Sequence, residues 1–350
     1  MSKLAEMTKT YPQTELWNDS CSYKELSYSV ERGATGATTN PVIVFNVLKK
    51  ELPEWEDTIK RLVDENPTCT EDELAWMVIK ALGANASTLL LDKFRASNGQ
   101  LGRISFQTNA KYYQNSQKMV EQACDLAATV ENSQVKVPAS KAGIEAIEEM
   151  TYRGVSVNAT VSFTVAQAIA VAEAVERGLK RRAAEGLDSS KMHPVCTIMS
   201  GRVDDYLKSF YGATDTLVSS EAYDMAGVAV MKKAYKIFKE RGYRTKLLVA
   251  AFRNRHHFEE FIGGDIILTI PYGWQKKYDS SNVEIKDNMS KDVDPAILNE
   301  LLTLEEFRKA YDENFPQEQF QYYGAFKATI NQFLNGYDGL LQLLRKYMVK

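Results

Sequence analysis

Apolar residues along this chain follow two rhythms. Short runs rich in Val, Ile and Thr, each bounded by Gly, Pro, Asn or Asp, predict strands. They fall at Thr14–Asp19, Thr35–Thr38, Arg103–Gln107, Gln134–Pro138, Val155–Thr160, Val195–Met199, Thr245–Ala251 and Asp265–Ile270. Between them apolar positions recur at helical spacing: Leu74, Met77, Val78 and Leu82, then Ile144, Ile147 and Met150 after Gly143, then the Ala-rich stretch Val165–Val175. Alternating strands and helices imply parallel strands joined by crossover helices. Eight such strands between Thr14 and Ile270 predict an α/β fold, a (β/α)8 TIM barrel. A doubly wound open sheet is the competing architecture.

The texture changes after Tyr272. Residues 276–300 are polar and densely charged, and Thr303-Leu-Glu-Glu306 reads as a capping box opening a helix. From Phe307 to Met348 the pattern is helical and aromatic. The expected organisation is a barrel over residues 1–275 and a C-terminal helical extension, residues 276–350, packed on it. Its aromatic residues (Phe315, Phe320, Tyr322, Tyr323, Phe326) either cover a barrel face or build a contact in a homo-oligomer. No internal repeat is evident.

Composition narrows the function classes. Hydrophobic residues make up 44% of the 350, charged residues 25%, and the formal net charge is −3. A chain so near neutral is unsuited to holding nucleic acid or an anionic membrane through bulk charge. The basic stretch Arg177–Lys191 reads as a solvated helix end and loop. Cys21, Cys69, Cys124 and Cys196 lie tens of residues apart, which argues against a metal knuckle or disulfide framework and for a reducing compartment. The opening MSKLAEMTKTYPQTE has no apolar core of a signal peptide, and no apolar run is expected to span a bilayer. A cytoplasmic enzyme is the expectation.

In a barrel of this kind, functional side chains project from the C-terminal ends of the strands. Those ends read Asp19, Asn40, Gln107, Lys136, Asn158 with Thr160, Thr197, Arg253 and Tyr272. Lys136 lies between Val135 and Val137, so alternation puts it on the opposite face from both valines. If the valines face the helices, the lysine points into the barrel, where desolvation lowers its pKa and frees a neutral amine nucleophile. The plain alternative is a lysine reaching to solvent. Asp19 suits a general acid/base, or equally a turn residue. Gly33–Pro41 (GATGATTNP) lacks the Gly-Lys-Ser/Thr ending of a phosphate loop. Arg253-Asn-Arg-His-His257 is suited to meeting an anion such as phosphate, or is simply a charged loop. With only three histidines, two of them adjacent, no metal site is expected.

Five blocks, in order, carry a resemblance: Gly36-Ala-Thr-Thr-Asn-Pro41; Val135-Lys-Val-Pro138 with Gly143-Ile144; Gly154 with Val157-Asn-Ala-Thr160; Gly201-Arg-Val-Asp204; and Ala251-Phe-Arg-Asn254. Together they resemble the transaldolases. The resemblance implies class I aldolase chemistry on a (β/α)8 barrel without metal or organic cofactor, acting on small-molecule sugar phosphates in the pentose phosphate pathway. By it, Lys136 forms a Schiff base with a ketose phosphate and Asp19 exchanges the proton of the C4 hydroxyl. Asn40 and Asn158 hold the donor's hydroxyls, Thr160 positions a water, and Arg202 and Arg253 grip the phosphate. Thr197, at a strand end, joins the substrate-binding set on position.

The chain departs from that pattern in places. Gln107 stands where transaldolases proper have a proton-relaying glutamate; the fructose-6-phosphate aldolase branch also has glutamine. Met199 matches neither that branch's tyrosine nor the phenylalanine of the other. Ala251 stands where a serine binds phosphate, and Arg255 or His256 is the candidate replacement. Thr197 and Tyr272 are candidates for what replaces the relay. Three activities stay open: transfer of a three-carbon unit, release of free dihydroxyacetone, or sugar-phosphate binding without catalysis.

Overall fold

The computed structural model of the chain describes residues 2–349. Its eight strands are β1 (Thr14–Asn18), β2 (Gly36–Thr38), β3 (Arg103–Gln107), β4 (Ser133–Pro138), β5 (Val157–Ser162), β6 (Val195–Ile198), β7 (Lys246–Val249) and β8 (Ile266–Ile270). They pair in chain order, all parallel, and β1 pairs with β8 to close the barrel. The α/β barrel is therefore the fold, and the open sheet is excluded.

Strand limits shift in one informative place. The run expected at Val155–Thr160 becomes β5, Val157–Ser162, because Gly154 turns at φ 84° and Val155 and Ser156 only lead in. A bulge then interrupts its pairing with β6 between Ala159 and Ser162, and Val161 takes φ 52°. Bulges re-aim side chains, and this one follows directly on Thr160.

Alternation sorts the strand residues. Phe106 of β3 points outward into the helix Glu71–Ser87, while the next residue, Gln107, and Lys136 beside it point inward. That helix and its continuation to Ala96 are long and apolar enough by composition to cross a membrane, contrary to expectation. Its apolar residues are spent on the barrel wall instead: Leu74, Val78, Leu82 and Ala86 are all buried. The basic stretch after Arg177 is likewise consumed locally, with Arg177 and Arg181 paired to Glu148 and Glu149 of the preceding helix.

The N-terminal end of the barrel is held by a charged cluster. Lys246 Nζ lies 2.7 Å from Glu15 Oε1 and 2.9 Å from Asp265 Oδ1. Glu15 Oε2 also accepts from Thr35 Oγ1 (2.6 Å) and from Trp17 Nε1 (3.1 Å), which locks the indole inside the barrel. Burial pushes the Glu15 carboxyl up, but Lys246 overcomes it and the net shift is downward. Burial likewise pushes Lys246 down, yet Glu15 and Asp265 leave it raised.

Beyond β8 the helix Tyr272–Asp279 runs across residue 275. Asp279 accepts from Ser2 Oγ (2.6 Å), Leu4 N (3.1 Å), Tyr28 Oη (2.9 Å) and Arg32 Nε (2.6 Å), tying the first helices to the end of the barrel. Further on come helices Pro295–Leu302, Glu305–Tyr311 and Gly324–Met348. The capping box expected at Thr303 does not form. Thr303 ends the preceding helix and its hydroxyl donates back to Glu300 O (2.6 Å), while the Glu306 carboxylate accepts from Tyr206 Oη (2.6 Å). The same Thr-x-x-Glu pattern does close a box at Thr70 and Glu73. Of the tail aromatics, Phe320, Tyr323 and Phe326 turn inward; Tyr323 meets Phe163 and Tyr206, and Phe326 meets Tyr113.

Because Trp17 is fully buried within the barrel, Trp17→Ala is expected to destabilise the fold by about 3–5 kcal/mol. A denaturant midpoint lowered with the slope preserved is the expected readout.

Candidate active site

Lys136 sits at the centre of the C-terminal half of the barrel. Its backbone is in register with Gln107 on one side and Asn158 on the other. It is 3% exposed, and the valines flanking it are completely buried on the helix side. Burial lowers the pKa of its amine, opposed by the negative charge of Asp19. Burial raises the Asp19 carboxyl, opposed by Lys136 and by a hydrogen bond from Thr38. Both groups are thus pushed toward their neutral forms, which is the state an amine nucleophile requires.

Hydroxyls and amides fix this pair. Thr38 Oγ1 lies 2.7 Å from Asp19 Oδ1 and 2.6 Å from Thr269 Oγ1, so one short bridge crosses from β2 to β8 beneath the carboxylate. On the other side Thr197 Oγ1 donates to Asn158 Oδ1 (2.7 Å) and Asn158 Nδ2 donates to Ser105 Oγ (3.1 Å). Ser105 in turn donates to Gln134 Oε1 (2.8 Å). Asn158 is held rigidly beside Lys136, and Thr197 acts first as its partner. Gln107 Oε1 and Thr160 Oγ1 are buried with no hydrogen-bond partner among the described residues. Orphaned acceptors and hydroxyls flanking a buried lysine are the kind of exception that marks a site for a polar ligand.

Two arginines stand at the ends of β6 and β7. Arg202, on the helix Ser200–Tyr211, is lowered to about 10, chiefly by burial and further by repulsion from Arg253. Its position depends on Gly201: a Cβ there would lie 1.8 Å from the Ala251 carbonyl oxygen, so only glycine lets the two loops approach. Ala251 itself has φ 66° and carries only a methyl group. Arg253 is half-exposed, and its Nε donates to Asp205 Oδ2 (2.8 Å). The rest of the Arg253–His257 segment is held by bonds within and around it. Asn254 Oδ1 accepts from His256 N and His257 N (2.9 and 3.3 Å). His257 Nδ1 accepts from Arg253 N (3.0 Å), with Nε2 at ion-pair distance, 2.9 Å, from buried Asp204. Arg255 is exposed and paired with Glu259.

A cavity of about 640 Å3 opens beside the ends of β1 and β8, lined by Asp19, Ser20, Glu25, Lys50, Tyr272 and Lys276 among others; Lys136 is not in its lining. Tyr272 borders it, packed edge-on against Tyr28. Asn40 caps the helix Pro41–Glu65, its Oδ1 accepting from Ile43 N (2.9 Å), while its amide nitrogen makes no hydrogen bond among the described residues. Met199 is a buried apolar residue at the start of the Arg202 helix. A larger cleft, about 810 Å3, lies on the outer wall around Asp72, Trp76 and Tyr112 and contains none of the strand-end residues. Sequence reasoning missed Thr38, Thr269 and Ser105; strand alternation carries a signal for each, since all three face inward with Lys136.

The family model for transaldolase/fructose-6-phosphate aldolase matches residues 16–343, nearly the whole chain. The chain belongs to this family. It is 31% identical over 263 residues to a transaldolase of Thiobacillus denitrificans, covering 69% of this chain and 72% of the relative. It is 26% identical over 358 residues to transaldolase 2 of Streptomyces avermitilis, covering 94% and 95%. A transaldolase of Renibacterium salmoninarum is 30% identical over 212 residues, covering 60% of this chain and 56% of the relative. Within that matched span the barrel brings Asp19, Gln107, Lys136, Asn158 and Thr160 to one end.

Gly201→Ala forces the Ala251 loop away and carries Arg202 with it. The expected cost is about 1–3 kcal/mol, read from a denaturant melt, with weaker sulfate or phosphate protection of the fold than in the parent chain.

Proposed function

We propose that the protein is a transaldolase, moving a dihydroxyacetone unit from a ketose phosphate to an aldose phosphate through a Schiff base on Lys136. The observation that carries this reading is the buried Lys136 amine, coupled to Asp19 and set between Gln107 and Asn158. A lysine displaced toward neutrality inside a barrel has little structural use; beside a carboxylate it is equipped for nucleophilic catalysis.

The neutral amine adds to the C2 carbonyl; Asp19, pushed toward its neutral form by burial, gives its proton to the departing hydroxyl, so water leaves and a protonated imine remains beside the Asp19 carboxylate. Asp19 takes the proton from the C4 hydroxyl, the C3–C4 bond breaks, and its electron pair flows into the imine to give an enamine. The aldose phosphate leaves. The enamine then attacks the carbonyl carbon of an incoming aldehyde, Asp19 returns the proton to the new hydroxyl, and water releases the product ketose from Lys136. Gln107 and Thr160 have the free acceptor and hydroxyl needed to hold that water. Gln107 positions water but does not exchange protons with it, which leaves Asp19 as the proton carrier. The same glutamine favours a second reading, release of free dihydroxyacetone, because the fructose-6-phosphate aldolase branch carries glutamine at this position.

Incubation with fructose 6-phosphate followed by borohydride reduction is expected to leave a three-carbon adduct on the peptide containing Lys136, and none in Lys136→Met. No adduct in the parent chain contradicts the proposal. Product analysis with and without erythrose 4-phosphate separates transfer from release.

The trapping rate has a pH dependence of fixed sign. It rises with pH through an inflection below the ordinary lysine range, because burial lowers the amine's pKa. Asp19 stabilises the ammonium, so Asp19→Asn moves the inflection to lower pH; a shift to higher pH contradicts the coupling.

A further inference from the structure

The Arg202 guanidinium is poorly satisfied for a partly buried group. Of its five N–H donors, one makes a hydrogen bond among the described residues: Nη1 to Thr329 Oγ1, at 3.4 Å. Its Nε is buried with no partner. Thr329 is completely buried, accepts from Arg202, and donates no hydrogen bond among the described residues. Its proton is therefore uncommitted among the described residues. Phe333, one helical turn along, places its ring 5.9 Å from the same guanidinium.

Thr329 belongs to the helix Gly324–Met348, far from the barrel in sequence, and that helix is seated in a fixed register. Thr329, Phe333 and Gly336 share one face, at i, i+4 and i+7. A Cβ at Gly336 would lie 2.4 Å from Val42, so the helix crosses the start of Pro41–Glu65 at backbone distance. Tyr337 Oη donates to Asp72 (2.8 Å), and Arg345 makes a two-pronged ion pair with Glu71 (2.5 and 2.7 Å). Rotation or sliding of the helix would break these contacts, so the hydroxyl is held in place rather than merely near. On the barrel side Ala251 offers only a methyl group, and Arg253 shares its charge with Asp205.

We infer that Thr329 is a specificity-determining residue, its hydroxyl orienting Arg202 and donating to the phosphate of the sugar held there, so that the C-terminal helix completes the anion subsite. The inference rests on the proposed Schiff-base chemistry only for its readout. The half-saturation for borohydride trapping is measured with fructose 6-phosphate and with dihydroxyacetone, which has no phosphate, and the two are expressed as a ratio. In Thr329→Val, which keeps the shape and removes the hydroxyl, the ratio is expected to rise roughly tenfold, the effect of one hydrogen bond to a charged group. Thr329→Ser restores it, and Thr329→Ala repeats the test where valine disturbs folding. A ratio that stays at the parent value while adducts form overturns this inference alone, since a packing role moves both substrates together. Trapping of dihydroxyacetone but not of fructose 6-phosphate by the parent chain overturns it as well. Absence of any adduct with either ketone overturns the Schiff-base reading itself.

Discussion

Placing a lysine amine in the middle of a barrel is the constraint around which the rest of this structure is arranged. An unpaired buried ammonium is costly, and the usual escape is loss of the proton. The chain permits part of that escape. Asp19 supplies negative charge near Lys136 but is itself raised by burial, so neither partner is held firmly ionised. The interior around it is accordingly polar. Thr38 and Thr269 bond each other on one side and Ser105, Asn158 and Thr197 form a chain on the other, while Trp17 fills the barrel nearer its N-terminal end.

The opposite end of the same barrel shows what a lysine and carboxylate do when stability alone is at stake. Glu15 and Lys246 are in direct contact at 2.7 Å, with Asp265 and Thr35 adding further bonds, and both are driven toward their charged forms. At the mouth the equivalent pair is driven the other way. Burial is the leading influence on all four groups; what differs is how completely each charge is answered by neighbours. Two environments in one barrel thus drive the same two residue types in opposite directions, toward a charged pair below and toward a neutral pair above.

Much of this was readable in advance, for identifiable reasons. The strands are short apolar runs with clear turn residues, and Lys136 between two valines declares its face through alternation alone. Asp19, Gln107 and Thr160 were found because strand ends are few and functional side chains gather there. What escaped depends on partners distant in sequence. Thr303 and Glu306 carry as good a capping pattern as Thr70 and Glu73, but Tyr206 claims the Glu306 carboxylate and the preceding helix claims the threonine. The apolar helix from Glu71 serves the barrel wall, a role that hydropathy does not distinguish from a membrane span. Thr329 gives no local signal, since its meaning comes from Arg202, 127 residues earlier.

The four donors converging on Asp279 bear on how the chain reaches this state. Pairing β1 with β8 joins strands separated by almost the whole barrel, and closing so long a loop carries a large entropic penalty. Ser2, Leu4, Tyr28 and Arg32 all meet one carboxylate just past β8. None of these bonds exists until the ends of the barrel come together. They hold the seam once it has formed, so their main kinetic effect is to slow its reopening rather than to speed its closure.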